Sequence, residues 1–328
     1  MKLDEILKGF ARGNRRVLAR AITLAESSRS EDQELIASVL KALPGRESVA
    51  LKLGVTGSPG AGKSTLIEAL GQVLIAKGHR LAVLAVDPSS SLSGGSILGD
   101  KTRMPILSAH PDCYVRPSPT GGHQGGVART TRLVMQLCEA FGFDSILVET
   151  VGVGQTEIEV AGMVDLFLLL LLPYAGDELQ GSKKGIMEMA DFIFINKADQ
   201  APEQASLLKS QCESALQFVI NPRLQEEPAK VSTGSALETE SVADLCESMI
   251  SYFEGLKEMG SLHNRRGEQA CLAFRQRLRE SLLRRLMDKP CVAKELDLLE
   301  QKIGLNPGYV DDAIEEALAT IIRASSKS

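Results

Sequence analysis

The stretch Gly57-Ser58-Pro59-Gly60-Ala61-Gly62-Lys63-Ser64-Thr65 matches the phosphate-cradling pattern G-x-x-x-x-G-K-[ST] in full. Glycines at 57, 60 and 62 let the backbone take positive φ and come close to an anion with no Cβ in the way. Amide N–H groups then converge on a β-phosphate, reinforced by the positive end of a helix that begins near Lys63. Lys63 brings a mobile charge to the β and γ oxygens, and the Ser64 hydroxyl is placed to ligate a Mg²⁺ bridging the same phosphates. A turn that merely joined strand to helix would use the glycines but not the Lys-Ser pair, so the stretch predicts a nucleotide phosphate.

Further polar residues stand at the ends of apolar runs, where open α/β sheets bind their ligands. Asp87 closes Leu81-Ala82-Val83-Leu84-Ala85-Val86, and Glu149 closes Ile146-Leu147-Val148. An acid ending a strand downstream of a P-loop is the Walker-B arrangement, which holds Mg²⁺ directly or through water. Gly152, three residues on, would let a backbone N–H approach the γ-phosphate, so the segment 149–159 is expected to respond to it. After Phe192-Ile193-Phe194-Ile195 comes Asn196-Lys197-Ala198-Asp199, the N-K-x-D pattern. Its carboxylate, Asp199, can accept hydrogen bonds from guanine N1–H and the exocyclic amine, which adenine lacks or presents the wrong way round. Backbone amides of Ser235-Ala236-Leu237 are expected at guanine O6. Gln155 could orient a water but is not assigned a catalytic role, and His123, one of four scattered histidines, is not assigned a metal.

The elements that must position these groups read as an α/β unit with a mostly parallel sheet and helices on both faces. A strand before the P-loop (49–55) feeds a helix over 64–77, and further strands follow near 81–86, 113–117, 143–148, 165–172, 192–195 and 229–232. Helices are expected over 127–141 and 241–256. Residues 1–47 form an N-terminal helical segment broken at Gly13-Asn14 and laid against the nucleotide domain, 48–258 the P-loop domain, and 259–328 a charge-rich helical arm with helices over 291–303 and 307–323 broken at Gly304. Arg15 and Arg16 read as solvated charges. The arm's apolar stripe, from Ala270 to Leu286, has too little prospect of a core of its own, so homodimerisation through it is expected.

Composition narrows the partners. Among 328 residues the net charge is -5, which offers no global field for nucleic acid or an acidic membrane. The run Leu166–Leu172 is far shorter than the roughly 20 residues a bilayer needs. Six single cysteines without C-x-x-C spacing suit reduced thiols, and a cytoplasmic location is expected.

With these motifs in place, the sequence resembles the MeaB family of P-loop GTPases, related to the human methylmalonic aciduria type A protein and to the ArgK proteins once described as arginine/ornithine transport kinases. The likeness extends to Ala85-Val86-Asp87-Pro88-Ser89-Ser90-Ser91, the segment Gly94–Met104, Arg116-Pro117-Ser118-Pro119, Gly176-Asp177-Glu178-Leu179-Gln180-Gly181 and Gly185–Asp191. It implies a GTPase that chaperones an adenosylcobalamin-dependent acyl-CoA mutase, usually methylmalonyl-CoA mutase, by gating cofactor delivery and protecting or reactivating the enzyme. Carried over residue by residue, it puts Ser64, Asp87, Asp100 and Glu149 around Mg²⁺ and the reaction, beside Lys63. The loops 87–104, 149–161 and 172–184 become switches. Gln200-Ala201-Pro202 and Gly122-His123-Gln124-Gly125 depart from the family's usual residues.

Two other readings compete: a metallochaperone GTPase, which would need Cys or His clusters that the sequence lacks, and a small-molecule kinase, against which the guanine-reading motif argues.

Overall fold

The computed structural model describes residues 2–27, 29–43, 50–87, 103–119, 126–150, 155–175, 184–217, 228–287 and 289–325. By its packing the chain divides into residues 1–265 and 266–328. In the first unit, seven strands form one sheet: β1 (Leu51–Gly57), β2 (Leu81–Asp87), β3 (Cys113–Pro119), β4 (Ser145–Thr150), β5 (Leu166–Leu171), β6 (Phe192–Ile195) and β7 (Lys230–Thr233). Their order is β3-β2-β4-β1-β5-β6-β7, and every pairing is parallel. Parallel pairing needs a crossover between neighbours, and the helices that supply it cover both faces, so β4 and β5 are buried at every residue.

The period of two in the strands sorts the core into two layers. Leu53 and Val55 of β1, Leu81 and Val83 of β2, Leu147 of β4 and Leu168 and Leu170 of β5 face the helices Lys63–Ala76 and Thr239–Glu258, through Leu66, Leu70, Leu245 and Phe253. The alternate residues Leu84, Val86, Ile146, Val148, Phe167 and Leu169 face the helices Gly126–Phe141, Gln155–Ala161 and Pro202–Leu216. The N-terminal helices Leu3–Ala11, Arg15–Ala25 and Ser30–Ala42 pack into this second layer by Ile6, Phe10, Leu18, Ile22 and Ile36. Their break is where the sequence places it: Gly13 has φ +65, and the Asn14 side chain caps the second helix by accepting from the amides of Arg16 and Val17. Arg15 is not a free surface charge. Its guanidinium donates to the carbonyls of Cys113, at 2.8 Å, and Pro111, tying the helical layer to the start of β3.

Below the sheet, at the strands' amino ends, Asp191 accepts from the Phe167 amide at 2.7 Å and Asp165 from the Lys52 amide at 2.9 Å. Arg265 joins the two acids: its guanidinium meets the Asp165 carbonyl and lies 3.2 Å from an Asp191 oxygen, with both side chains buried.

In the second unit the helix that begins at Ser261 continues to Met287, followed by Pro290–Leu305 and Val310–Ser325. The break expected at Gly304 falls instead at Asn306-Pro307, because Pro307 cannot donate to a continuing helix and the Asn306 side chain caps a 3-10 turn by accepting from the Gly308 amide. Val292, Leu299 and Ala313 are buried between the last two helices. Leu272, Phe274, Leu282 and Leu283 are each more than half exposed on the long one.

Candidate functional site

Among the described residues, the P-loop, Glu149 and the N-K-x-D motif gather at the carboxyl ends of the strands. The loop between β1 and the helix Lys63–Ala76 turns on Gly60 at φ +80 and Gly62 at φ +92, conformations a Cβ disfavours. At Gly62 a Cβ would also stand 2.5 Å from the Asn196 amide nitrogen. The buried Lys63 ammonium folds over the loop and donates to the carbonyls of Gly57, at 2.8 Å, and Ser58, at 3.1 Å, which holds a positive charge at the mouth of the cradle. Ala61 is buried, while Pro59 and Gly60 are exposed on the loop's outer side. Lys63, Ser64 and Thr65 are the first three residues of the helix.

Ser64 and Glu149 come together as the pattern requires. The Ser64 hydroxyl donates to a Glu149 carboxylate oxygen at 2.8 Å, across the gap between the helix and β4. The pairing of β1 with β4 sets this meeting: Val55 is opposite Glu149, so Glu149 points into the layer that holds the P-loop helix. A hydroxyl and a buried carboxylate in contact form a hard-oxygen pair of the kind Mg²⁺ takes. Asp87 ends β2, on the same edge, and its side chain lies outside the described residues, as do Asp100, Gly152, the Gln155 side chain and the loop stretches 88–102, 120–125, 151–154 and 176–183.

The N-K-x-D motif is built into the same edge. Asn196 is buried and works as a clasp: its amide nitrogen donates to the Ala61 carbonyl at 2.7 Å, and its amide oxygen accepts from the Ala236 backbone at 2.8 Å. One side chain therefore joins the phosphate loop to the turn Ser235-Ala236-Leu237. Lys197 has φ +61, a left-handed conformation otherwise found only at glycines among the described residues, and its ammonium donates to the Gly60 carbonyl at 3.0 Å. Such strain collects at sites whose surroundings dictate the backbone. Asp199 is exposed beyond the clasp, and the Ser235 hydroxyl accepts from the Leu237 amide at 3.3 Å, closing the turn.

A model of the family described as "Methylmalonyl Co-A mutase-associated GTPase MeaB" matches residues 18–291. The chain belongs to the MeaB GTPase family. It is 46% identical over 304 residues to a probable GTPase of Mycobacterium tuberculosis, covering 92% of this chain and 90% of that one. It is 44% identical to the GTPase ArgK of Escherichia coli, over 87% of this chain and 86% of that one. The mouse mitochondrial methylmalonic aciduria type A homolog is 41% identical, over 96% of this chain and 79% of its own length. A crystal structure of a protein described as an LAO/AO transport system kinase superposes with a TM-score of 0.74 at 34% identity, covering 97% of each chain. This MeaB-family chain is thus a guanine-nucleotide hydrolase on a P-loop fold.

Three polar residues escaped the sequence reading. The Thr150 hydroxyl donates to the Thr56 hydroxyl at 2.9 Å, and Thr56 donates to a Glu157 carboxylate oxygen at 2.9 Å. Thr56 and Thr150 are fully buried and Glu157 is 1% exposed. The available signal was a threonine at the end of each of two apolar strands, one residue before Gly57 and one after Glu149.

Proposed function

We propose that this GTPase serves as a nucleotide-gated chaperone of an adenosylcobalamin-dependent acyl-CoA mutase, with methylmalonyl-CoA mutase the first candidate. The observation that carries this reading is the match of residues 18–291 to a family whose description names that mutase. The mouse relative's description, a methylmalonic aciduria type A homolog, points the same way.

In the reaction, water attacks the γ-phosphorus, the bond to the β–γ bridging oxygen breaks, and GDP and phosphate leave; the protein contributes mainly position and charge. Lys63 neutralises the β and γ oxygens once it exchanges the loop carbonyls for phosphate. The contact of Ser64 with Glu149 supports these two as holders of Mg²⁺, with Asp87 and Asp100 as further carboxylates. The ion would offset the charge that builds on the phosphate oxygens. Asp199 reads guanine, and the amides of Ser235 to Leu237 complete the base site, held in register by Asn196. Homodimerisation through 259–328 rests on the exposed Leu272, Phe274, Leu282 and Leu283, and a cytoplasmic location on the cysteine pattern.

The decisive experiment is capture from a lysate on the immobilised full chain in GDP and in a non-hydrolysable GTP analogue. Recovery of a B12-dependent mutase in a nucleotide-dependent manner is expected, and failure to recover or bind such a mutase in either state removes the chaperone role while leaving the GTPase. For the base, Asp199→Asn is expected to lower the preference for GTP over ATP by at least tenfold, measured as the ratio of kcat/KM values. An unchanged ratio would refute the assignment.

The likeness to the protein described as an LAO/AO transport system kinase keeps a kinase reading in view. It predicts label transfer from the γ-phosphate to arginine or ornithine, where the GTPase reading predicts label in inorganic phosphate alone.

A further inference from the structure

We propose that Glu157 is a positioning residue for hydrolysis: through Thr56 and Thr150 it locks the helix Gln155–Ala161 to the two strand ends that carry the phosphate loop and Glu149. The inference rests on the GTPase reading and concerns how that site is held. Register is the first observation. Val55 and Glu149 are the last residues paired between β1 and β4, and Thr56 and Thr150 follow them directly, their hydroxyls 2.9 Å apart. Alternation then sends Glu149 toward Ser64 and Thr150 to the opposite layer, where it meets Thr56.

The second observation is how closely the helix approaches. Gly54 shares a strand face with Thr56, and a Cβ there would meet Phe167 at 2.8 Å and Val160 at 3.0 Å. Val160 and Glu157 are three residues apart on the helix and so lie on one side of it. Val160 seats on β1 at Gly54, and Glu157 reaches Thr56 two residues further along. The apolar contact already serves packing. A carboxylate 1% exposed is not what packing calls for, since burying its charge is unfavourable unless hydrogen bonds hold it.

The polar contact has a different quality: direction. Thr150 donates to Thr56 at 2.9 Å, closer than its other acceptor, the Val55 carbonyl at 3.5 Å, and Thr56 donates to Glu157, so the chain of hydroxyls has one sense and reaches the acid. It passes one peptide from Gly57 and one peptide from Glu149. A displacement of either strand end when phosphate or metal engages therefore changes the seating of the helix. By linkage, the seating of the helix biases the position of Glu149.

The test uses the full-length protein and three variants. Glu157→Met keeps volume and burial but removes the acceptor, Thr56→Val removes the relay hydroxyl at constant shape, and Thr56→Ser retains it. Steady-state GTP hydrolysis is expected to show kcat lowered at least tenfold in E157M and T56V with KM within twofold of wild type, and near-wild-type kcat in T56S. Melting temperatures are expected to fall modestly in E157M, which leaves the buried Thr56 hydroxyl without its acceptor, so kcat is read at a temperature where every variant is still folded. Amide exchange over 155–161 is expected to differ between GDP and a non-hydrolysable GTP analogue in wild type, and not in T56V. Unchanged kcat in E157M and T56V overturns the proposal. So does a loss shared equally by T56S, or one that follows the melting temperature, since packing would then explain it. Absence of hydrolysis in wild type itself would instead defeat the GTPase reading on which the proposal stands.

Discussion

Gly62 carries two constraints at once, a φ of +92 and a Cβ position 2.5 Å from the Asn196 amide. The first is shared by any tight turn; the second exists only because the clasp from β6 passes directly over the loop. Gly62→Ala is therefore expected to weaken GDP binding at least tenfold, about 1.4 kcal/mol, measured with a fluorescent GDP analogue. Gly60, at φ +80 with nothing within 4 Å of its Cβ position, should tolerate alanine better. Equal losses at the two positions would argue that backbone strain alone matters. Asn196 shows that a motif residue can have a structural role: it bonds the protein's own Ala61 and Ala236, while Asp199 is exposed. The N-K-x-D spacing was legible in the sequence; the partners of its asparagine, 135 and 40 residues away, were not.

Among elements, the first turn of the helix that opens at Ser261, within residues 1–265, is fastened to the sheet by its fifth residue. Arg265 bridges the Asp165 carbonyl and the Asp191 carboxylate, and Asp191 in turn holds the Phe167 amide. Removing one partner of a buried ion pair strands the other charge, typically at about 3–5 kcal/mol. Arg265→Met is expected to destabilise the chain on that scale in urea unfolding. The double change Arg265→Met with Asp191→Asn should recover part of the loss, because the remaining charge is then gone. In the sequence Arg265 is one charge of a charge-rich helical arm, and nothing in composition distinguishes it from the arginines around it. Arg265 differs because its turn of helix lies under the amino ends of β5 and β6.

At the scale of the molecule, Cys113, Cys138, Cys212 and Cys246 are buried, while Cys271 and Cys291 are exposed. Burial raises the thiols of Cys212 and Cys246 from 9.0 to about 11, and that of Cys113 to about 12, with Cys138 also raised. A folded pKa above the unfolded one means stability is complete below pH 9 and declines as pH rises through the folded values, because the unfolded chain ionises first. The melting temperature is expected to fall between pH 9 and pH 11, and less so in Cys212→Ala with Cys246→Ala. At neutral pH a thiol reagent is expected to modify Cys271 and Cys291 in the native chain, and the other four only on unfolding. No helix of the described residues is long and apolar enough to cross a membrane.

The sequence by itself determined the phosphate loop, the guanine motif, the strand-end acid Glu149 and the layered parallel fold, because each depends on residues close together in the chain or on a period of two or 3.6. It also carried the family. Tertiary structure decided what those pieces touch: that Ser64 meets Glu149, that Asn196 clasps two loops, that Arg15 ties a helix to β3 and Arg265 a helix to the sheet. It decided too that Thr56, Thr150 and Glu157 form one buried chain, since that depends on the register of β1 against β4, and register is a property of paired strands, not of either strand alone.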